Sequence, residues 1–326
     1  MLIREFSDGA DVDQVLLVRE VETRQKRGGE EYLRVVFGDR SGQLPAMVWE
    51  AIADVKPFLA AGEPVRVSGR YAVHPRYGPQ LNLRSLRAAE PGSFDLEDLA
   101  AGPTRDVSQM DADLRELVGT IQNPHVRALL ERLLGEQGEL WQLYRVAPAA
   151  KFYHQAYRHG LLEHCLGVAE AVSALSSTFP GIDRDVAVAG ALLHDIGKLD
   201  AYTTDSPAID LTDAGRLHGE IALGYYRVRR EIEELDSFPP ALAQALTHII
   251  LSHHGTLEHG SPVVPCTREA TLVHMADNLG GRLGSFDRLE LELREGESWS
   301  GFDRAIGGGA FFGGREATEV PQREAA

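Results

Sequence analysis

Cysteine is nearly absent from this chain. Cys165 and Cys266 are the only two in 326 residues, which excludes a disulfide framework and fits a reducing compartment. Long apolar runs are missing too: no stretch approaches the ~18 residues a bilayer span needs. The opening "MLIREFSDGADVDQ" has no apolar core of the kind a secretory signal carries. These absences predict a soluble, cytoplasmic protein with no membrane partner. Positive charge is also scarce, with 33 Lys+Arg against 49 Asp+Glu and a net charge of −16. That argues against a simple electrostatic binder of nucleic acid. The deficit is local, however. Residues 1–90 hold 13 basic and 13 acidic side chains, so residues 91–326 hold 20 and 36 and account for the whole −16. A neutral module with clustered arginines can still bind a polyanion. An acidic domain that handles a phosphate ester needs metal cations to do so.

What is present divides the same way. The first 90 residues read as strands. "VDQVLLVREVETR" and "EYLRVVFGD" are rich in β-branched and aromatic residues, and "RQKRGGE" between them supplies hairpin glycines. In "QLPAMVWE", Leu44, Ala46 and Val48 alternate with Met47 and Trp49. A short helical piece near 50–60 precedes "EPVRVSGRYAV", a turn at "HPRYGP" and "QLNLRSLRAA". Three strands, a helix and two strands predict a small all-β barrel of the OB type over 1–90; a seven-stranded sandwich does not fit comfortably. Residues 91–110 are polar, broken by Pro and Gly, and read as a linker. From 111 the apolar spacing turns helical, with a break at Asn123-Pro124. The second domain, 111–304, is therefore predicted to be an all-α bundle, and 305–326 a flexible tail.

Eleven of the 12 histidines follow residue 120, several inside apolar helices. A buried histidine without a partner costs ~1–3 kcal/mol, so a lone one is usually a satisfied core residue. The ordered set is another matter: His164, then His194-Asp195, then His253-His254, then Asp277, each at a helix end or on an apolar helix. His194 and Asp195 are adjacent, and neighbours on a helix do not share a face. A helix end followed by Gly197, which has no Cβ, allows the turn that aims both at one ion. A His/carboxylate set without Cys suits Mn²⁺, Fe²⁺, Co²⁺, Ni²⁺ or Zn²⁺ better than Mg²⁺.

The order His, His-Asp, Asp and the string "LLHDIGK" resemble the HD-domain metal-dependent phosphohydrolases. With "KFYHQAYRHGLLEHCLGVAE", "ILSHHGTLEHGSPVVPCTREATLVHMADNL" and the preceding barrel, residues ~10–290 resemble the YhaM-type 3′→5′ exoribonucleases. That resemblance implies Mn²⁺-dependent removal of nucleotides from the 3′ ends of single-stranded RNA, with DNA as a further substrate. It implies His164, His194, Asp195 and Asp277 as ligands of a first ion, with Asp195 able to bridge, and His253 and His254 on a second. Two departures stand out. The family's Gly-Gly before "LLEH" is His159-Gly160 here. Its Gly-His-Ile after the HD motif is "LHGEIALG", which puts Glu220 at the histidine position and His218 two residues earlier.

In phosphodiester hydrolysis a divalent ion lowers the pKa of its water toward ~7 and neutralises charge on the phosphoryl oxygens. Lys198 either reaches a phosphate oxygen or is a solvated lysine at a helix end. His159 and His154 either meet substrate or are structural, and His274, three residues before Asp277, supports a ligand. His125 and His248 read as structural. On the barrel, single strands would stack on aromatics beside basic side chains. Tyr77, Tyr71 and Tyr32 are the candidates, with Arg76, Arg70, Arg27, Arg24 and Lys26 nearby, while Trp49 is expected to fill the barrel core. Two other readings stay open: a phosphohydrolase of mononucleotides or cyclic nucleotides, and a non-catalytic single-strand-binding protein. A homo-oligomer is compatible with the sequence.

Overall fold

The computed structural model describes residues 1–26, 28–74, 78–90, 92–94, 99, 102–103, 105–150, 155–203, 209–293 and 296–313. Five strands, β1 (Asp11–Gln25), β2 (Glu31–Asp39), β3 (Gly42–Val48), β4 (Pro64–His74) and β5 (Gly78–Ala88), close in the order β1-β2-β3-β5-β4. Only β3 and β5 run parallel, at Ala46 opposite Leu81; the other pairs are antiparallel. A short helix, α1 (Ile52–Val55), crosses between β3 and β4. This is the expected barrel, and period-two alternation builds its core: Leu44, Ala46 and Val48 point inward beside Leu33, Val35, Phe37, Val65 and Val67.

The same alternation overturns two barrel expectations. Trp49 follows inward-facing Val48 and is 52% exposed rather than in the core. Leu33 pairs with Val48, so Tyr32 lies beside Trp49 and the rings stack at 4.7 Å. Tyr71, expected on the binding face, is buried instead, with its ring edge-on to Phe6 at 5.7 Å. Its register partner Leu81 is inward too. Arg70 is exposed and donates its Nε to the Gly9 carbonyl. Arg27, Arg76 and Tyr77 lie outside the described residues.

After the linker, helices follow one another: α2 (Val107–Gly119), α3 (Pro124–Leu134), α4 (Glu139–Val146), α5 (Gly160–Ser176), α6 (Arg184–Leu193), α7 (Lys198–Ala201), α8 (Asp213–Glu233), α9 (Pro240–Ser252) and α10 (Arg268–Glu292). Five of these starts follow from capping chemistry, in which a side-chain oxygen takes up an orphan N–H of the first turn. Asp106, Asn123, Asp183, Thr212 and Thr267 each do this, and Pro124 sits at the first helical position. One core joins the helices, separate from that of the barrel. No described helix is long and apolar enough to cross a membrane. The tail expected from 305 does not begin there: Ser300, Asp303 and Phe312 donate to the Ala310, Gly308 and Ser298 carbonyls, and Asp303 meets Arg288 of α10 at 2.6 Å; residues 314–326 lie outside the described residues.

Candidate metal centre

Four helices converge on one buried cluster. His164 sits in the second turn of α5; His194 and Asp195 sit where α6 ends and the chain turns into α7. His253 follows the end of α9, and Asp277 comes from α10. His164 Nε2 lies 3.2 Å from His194 Nε2 and 3.1 Å from Asp277 Oδ1. Both histidines stand 3.4 Å from Asp195 Oδ2. His253 Nε2 approaches Asp195 Oδ1 at 3.5 Å. His164, His194 and Asp277 form a group with ligand atoms close enough to share one ion.

The turn at Gly197 works differently from the expectation. Its φ of −68° is ordinary right-handed backbone. What it lacks is bulk: a Cβ there would stand 1.9 Å from the Glu220 carbonyl oxygen and 2.4 Å from the Gly224 nitrogen. The bare α-carbon lets α8 come against the His-Asp turn, and that brings Glu220 to the site. A break in α8 at Gly219, φ 73°, precedes Glu220. Glu220 Oε1 lies 3.8 Å from His254 Nε2, while His218 is exposed and outside the cluster.

Tautomers are set from behind. His194, His253 and His254 direct Nδ1 at the carbonyls of Ala191, Ile250 and His259. A carbonyl can only accept, so each Nδ1 carries the proton and each Nε2 offers a lone pair to the cluster. His274 Nδ1 donates to the His253 carbonyl at 2.7 Å, which ties α10 to a ligand-bearing turn, the supporting place expected of it.

The charges demand a cation. Asp195, Asp277 and Glu220 bring three carboxylates against the one ammonium of Lys198, so the cluster is net negative once the His194 ring has shed its extra proton. Burial would raise the Asp195 pKa, but Lys198 and then His194 hold it well below the carboxylate range. Asp277 is likewise held down, against burial, by His164 and His194. Burial would lower the His194 pKa, yet Asp195 and Asp277 hold it above its ordinary value. Asp195 Oδ1 and His253 Nε2 are buried with no hydrogen-bond partner. Two unsatisfied acceptors facing each other are costly in a dry site. A divalent cation between them removes the cost, so the donor set fits a metal.

Lys198 is not the solvated helix-end lysine of one expectation. Its Nζ sits 2.6 Å from Asp195 Oδ2, with the side chain 11% exposed. Asp195 pushes its pKa up against burial, so it stays an ammonium. His159 is not among the groups close enough to share an ion; its Nδ1 binds the Arg145 carbonyl beside the start of α5. His154 lies outside the described residues. His248 accepts the Cys266 N–H, and His125 packs edge-on to Phe238, both structural as expected.

Sequence reasoning missed two residues. Cys165 Sγ lies close to His194 and Asp195, but burial and the Asp195 charge drive its pKa far up, so it packs as a neutral thiol. Gln155 Oε1 faces His164 Nδ1 at 3.1 Å; a loop glutamine carries no periodic signal that would have marked it. With the geometry in place, the family comparison agrees: residues 161–281, from the first turn of α5 to just past Asp277, match the model of the HD domain family, so the helical half of the chain carries an HD domain.

Proposed function

We propose that this protein is a metal-dependent 3′→5′ exonuclease on single-stranded RNA or DNA, the activity of the YhaM-type enzymes. The HD domain indicates a metal-dependent phosphohydrolase. The substrate reading rests on one observation: the chain that carries the buried His/Asp cluster also carries a closed barrel with a stacked aromatic pair on its outer surface. Tyr32 and Trp49 present ring faces beside Lys26, whose Nζ lies 5.5 Å from the Trp49 ring centroid. Bases stack on such platforms whatever their sequence, at ~1–3 kcal/mol per base. A mononucleotide needs no such surface.

A divalent ion, Mn²⁺ on this reading and Co²⁺, Fe²⁺, Ni²⁺ or Zn²⁺ as substitutes, would supply water activation and charge neutralisation. The chain's own residues do the rest. His164, His194, Asp195 and Asp277 would hold the first ion. Asp195 Oδ1, His253, His254 and Glu220 would line a second position. Lys198 fixes Asp195 Oδ2 and leaves Oδ1 turned toward His253, so the carboxylate can serve both positions.

One observation favours the mononucleotide reading. Four of the barrel's described arginines are paired with carboxylates: Arg66 with Asp13, Arg84 with Asp11, Arg34 with Glu20 and Arg24 with Glu22, at 2.5–2.9 Å. A time course on 5′-labelled single-stranded RNA with Mn²⁺ decides, run beside a chelator control and Asp195→Ala. A ladder shortening from the 3′ end and lost in both controls is the expected result. Intact RNA with turnover of free nucleotides selects the second reading.

A further inference from the structure

Among the four histidines of the cluster, one is held differently from the rest. His194, His253 and His254 rest on main-chain carbonyls, which cannot reverse polarity. His164 rests on the side-chain amide of Gln155, with Oε1 3.1 Å from its Nδ1. A primary amide has an accepting end and a donating end related by a half-turn. With the oxygen toward the ring, the proton stays on Nδ1 and the Nε2 lone pair faces Asp277 and His194. With the NH₂ toward the ring, the proton moves to Nε2 and blocks that lone pair.

We propose that Gln155 is a positioning residue that sets the metal affinity of this site by holding His164 in its Nδ1–H tautomer. This rests on reading the cluster as a metal centre. The placement of Gln155 is over-determined, as a positioning role requires. Its backbone is left-handed, φ 55°, although it has a side chain; such strain persists only where surroundings impose it. Its carbonyl accepts the Ala149 N–H at 3.1 Å. A Cβ on Gly160 would stand 2.0 Å from that same carbonyl oxygen, so glycine there lets α5 begin directly against the loop. Two residues on, Tyr157 donates to Glu163, the residue before His164. The loop and the first turns of α5 are one unit, and Gln155 delivers its amide to a fixed point.

The test uses the full chain, stripped of metal by a chelator, with Mn²⁺ alone as the probe. Calorimetry measures affinity in wild type, Gln155→Leu and Gln155→Glu, and ¹⁵N ring shifts report the His164 tautomer in the metal-free protein. Leucine is expected to weaken Mn²⁺ binding ~10–100-fold, with the metal-free melting temperature unchanged. Glutamate, which can only accept, is expected to bind Mn²⁺ at least as tightly as wild type. In wild type the neutral His164 ring is expected to carry its proton on Nδ1. Leucine and wild type binding alike, leucine and glutamate weakening alike, or an Nε2–H ring in wild type would each overturn the proposal. Should the leucine variant not fold, the wild-type tautomer and the glutamate variant still decide it. Wild type that takes up no Mn²⁺ overturns the metal reading itself, and the proposal with it.

Discussion

The two halves of the molecule each bury an aspartate, and they treat it in opposite ways. In the barrel, Asp39 sits at the β2–β3 turn with both oxygens occupied. Oδ2 accepts the Ile3 N–H at 2.6 Å, and Oδ1 accepts from the Ser41 N–H, the Ser41 hydroxyl and the Gly42 N–H. In the helical half, Asp195 has one oxygen on Lys198 and the other without a hydrogen-bond partner, facing an equally unpartnered His253 nitrogen. A buried carboxylate with both oxygens taken up by protein donors is a fastener. One with a buried oxygen that no protein donor reaches fits a ligand from outside the chain. Between these two aspartates the open oxygen is the difference and burial is not, since both are almost fully buried.

The strongest way to break this comparison is at Asp195. Asp195→Ala is expected to abolish hydrolysis and reduce metal uptake below calorimetric detection. It also strands Lys198 as a buried unpaired cation, at about 3–5 kcal/mol in the metal-free protein. Asp195→Ala/Lys198→Met should recover most of that stability and none of the activity, and thermal unfolding alongside turnover checks both. Asp39→Ala is expected to do the reverse. It leaves several N–H groups unsatisfied and costs about 3 kcal/mol, read by urea unfolding, while Mn²⁺ affinity stays that of wild type. If Asp39→Ala weakens metal binding, the two halves are not the separate structural and functional units described above.

The barrel offers the same contrast between aromatics. Trp49→Ala should weaken single-strand binding by ~1–3 kcal/mol and leave the unfolding midpoint unchanged, because the ring is half exposed. Tyr71→Ala should lower the midpoint, because it empties part of the core. Fluorescence titration with a labelled oligonucleotide separates them.

The pattern of the chain carried most of this. Apolar periodicity and the Asn123-Pro124 break marked the helices, while the caps at Asp106, Asp183, Thr212 and Thr267, which supply acceptors for first-turn N–H groups, became visible only in the structure. The metal-binding types were legible as an ordered set, because few uses other than a site bring so many histidines and aspartates to apolar helices. Trp49 was legible too, since the alternation that put Val48 inside put its neighbour outside; size suggested a core residue, and register prevailed. Gly197 was marked for the right absence and the wrong reason. Whether a glycine serves a turn or a close approach depends on what passes over it, here Glu220 and Gly224, and that is tertiary information. Gln155 and the second role of Lys198 are of the same kind, since each is defined by a partner.

Proton competition gives a smaller, graded effect. His194 must shed its proton before an ion can use Nε2, and its pKa is held above the ordinary 6.5 despite burial, by Asp195 and Asp277. Asp195 and Asp277, held low, stay ionised throughout. Mn²⁺ affinity should therefore rise with pH throughout the range below the raised His194 value, at most tenfold per unit for one released proton, and level off above it. The metal-free protein behaves oppositely. A raised folded pKa contributes stability that is fully present below the unfolded value and is lost as pH rises through the folded one. Calorimetry and thermal melts across that range, with and without metal, should give slopes of opposite sign.

The smallest expected effect is at His159, where the sequence reading expected glycine. Its φ of 69° is left-handed, which costs a side-chain-bearing residue ~1 kcal/mol or more. Its Nδ1 bond to the Arg145 carbonyl returns about the same. His159→Gly relieves the strain, loses the bond and adds ~0.5–1 kcal/mol of chain entropy on unfolding, so the midpoint should fall only slightly. His159→Ala keeps the strain and loses the bond, so it should fall further, by about 1 kcal/mol. If the histidine only ties the start of α5 to the Arg145 carbonyl, both variants retain wild-type turnover. A glycine variant that keeps its stability and loses turnover would put the His159 ring on the substrate, and the departure from glycine would then be a matter of chemistry rather than of backbone.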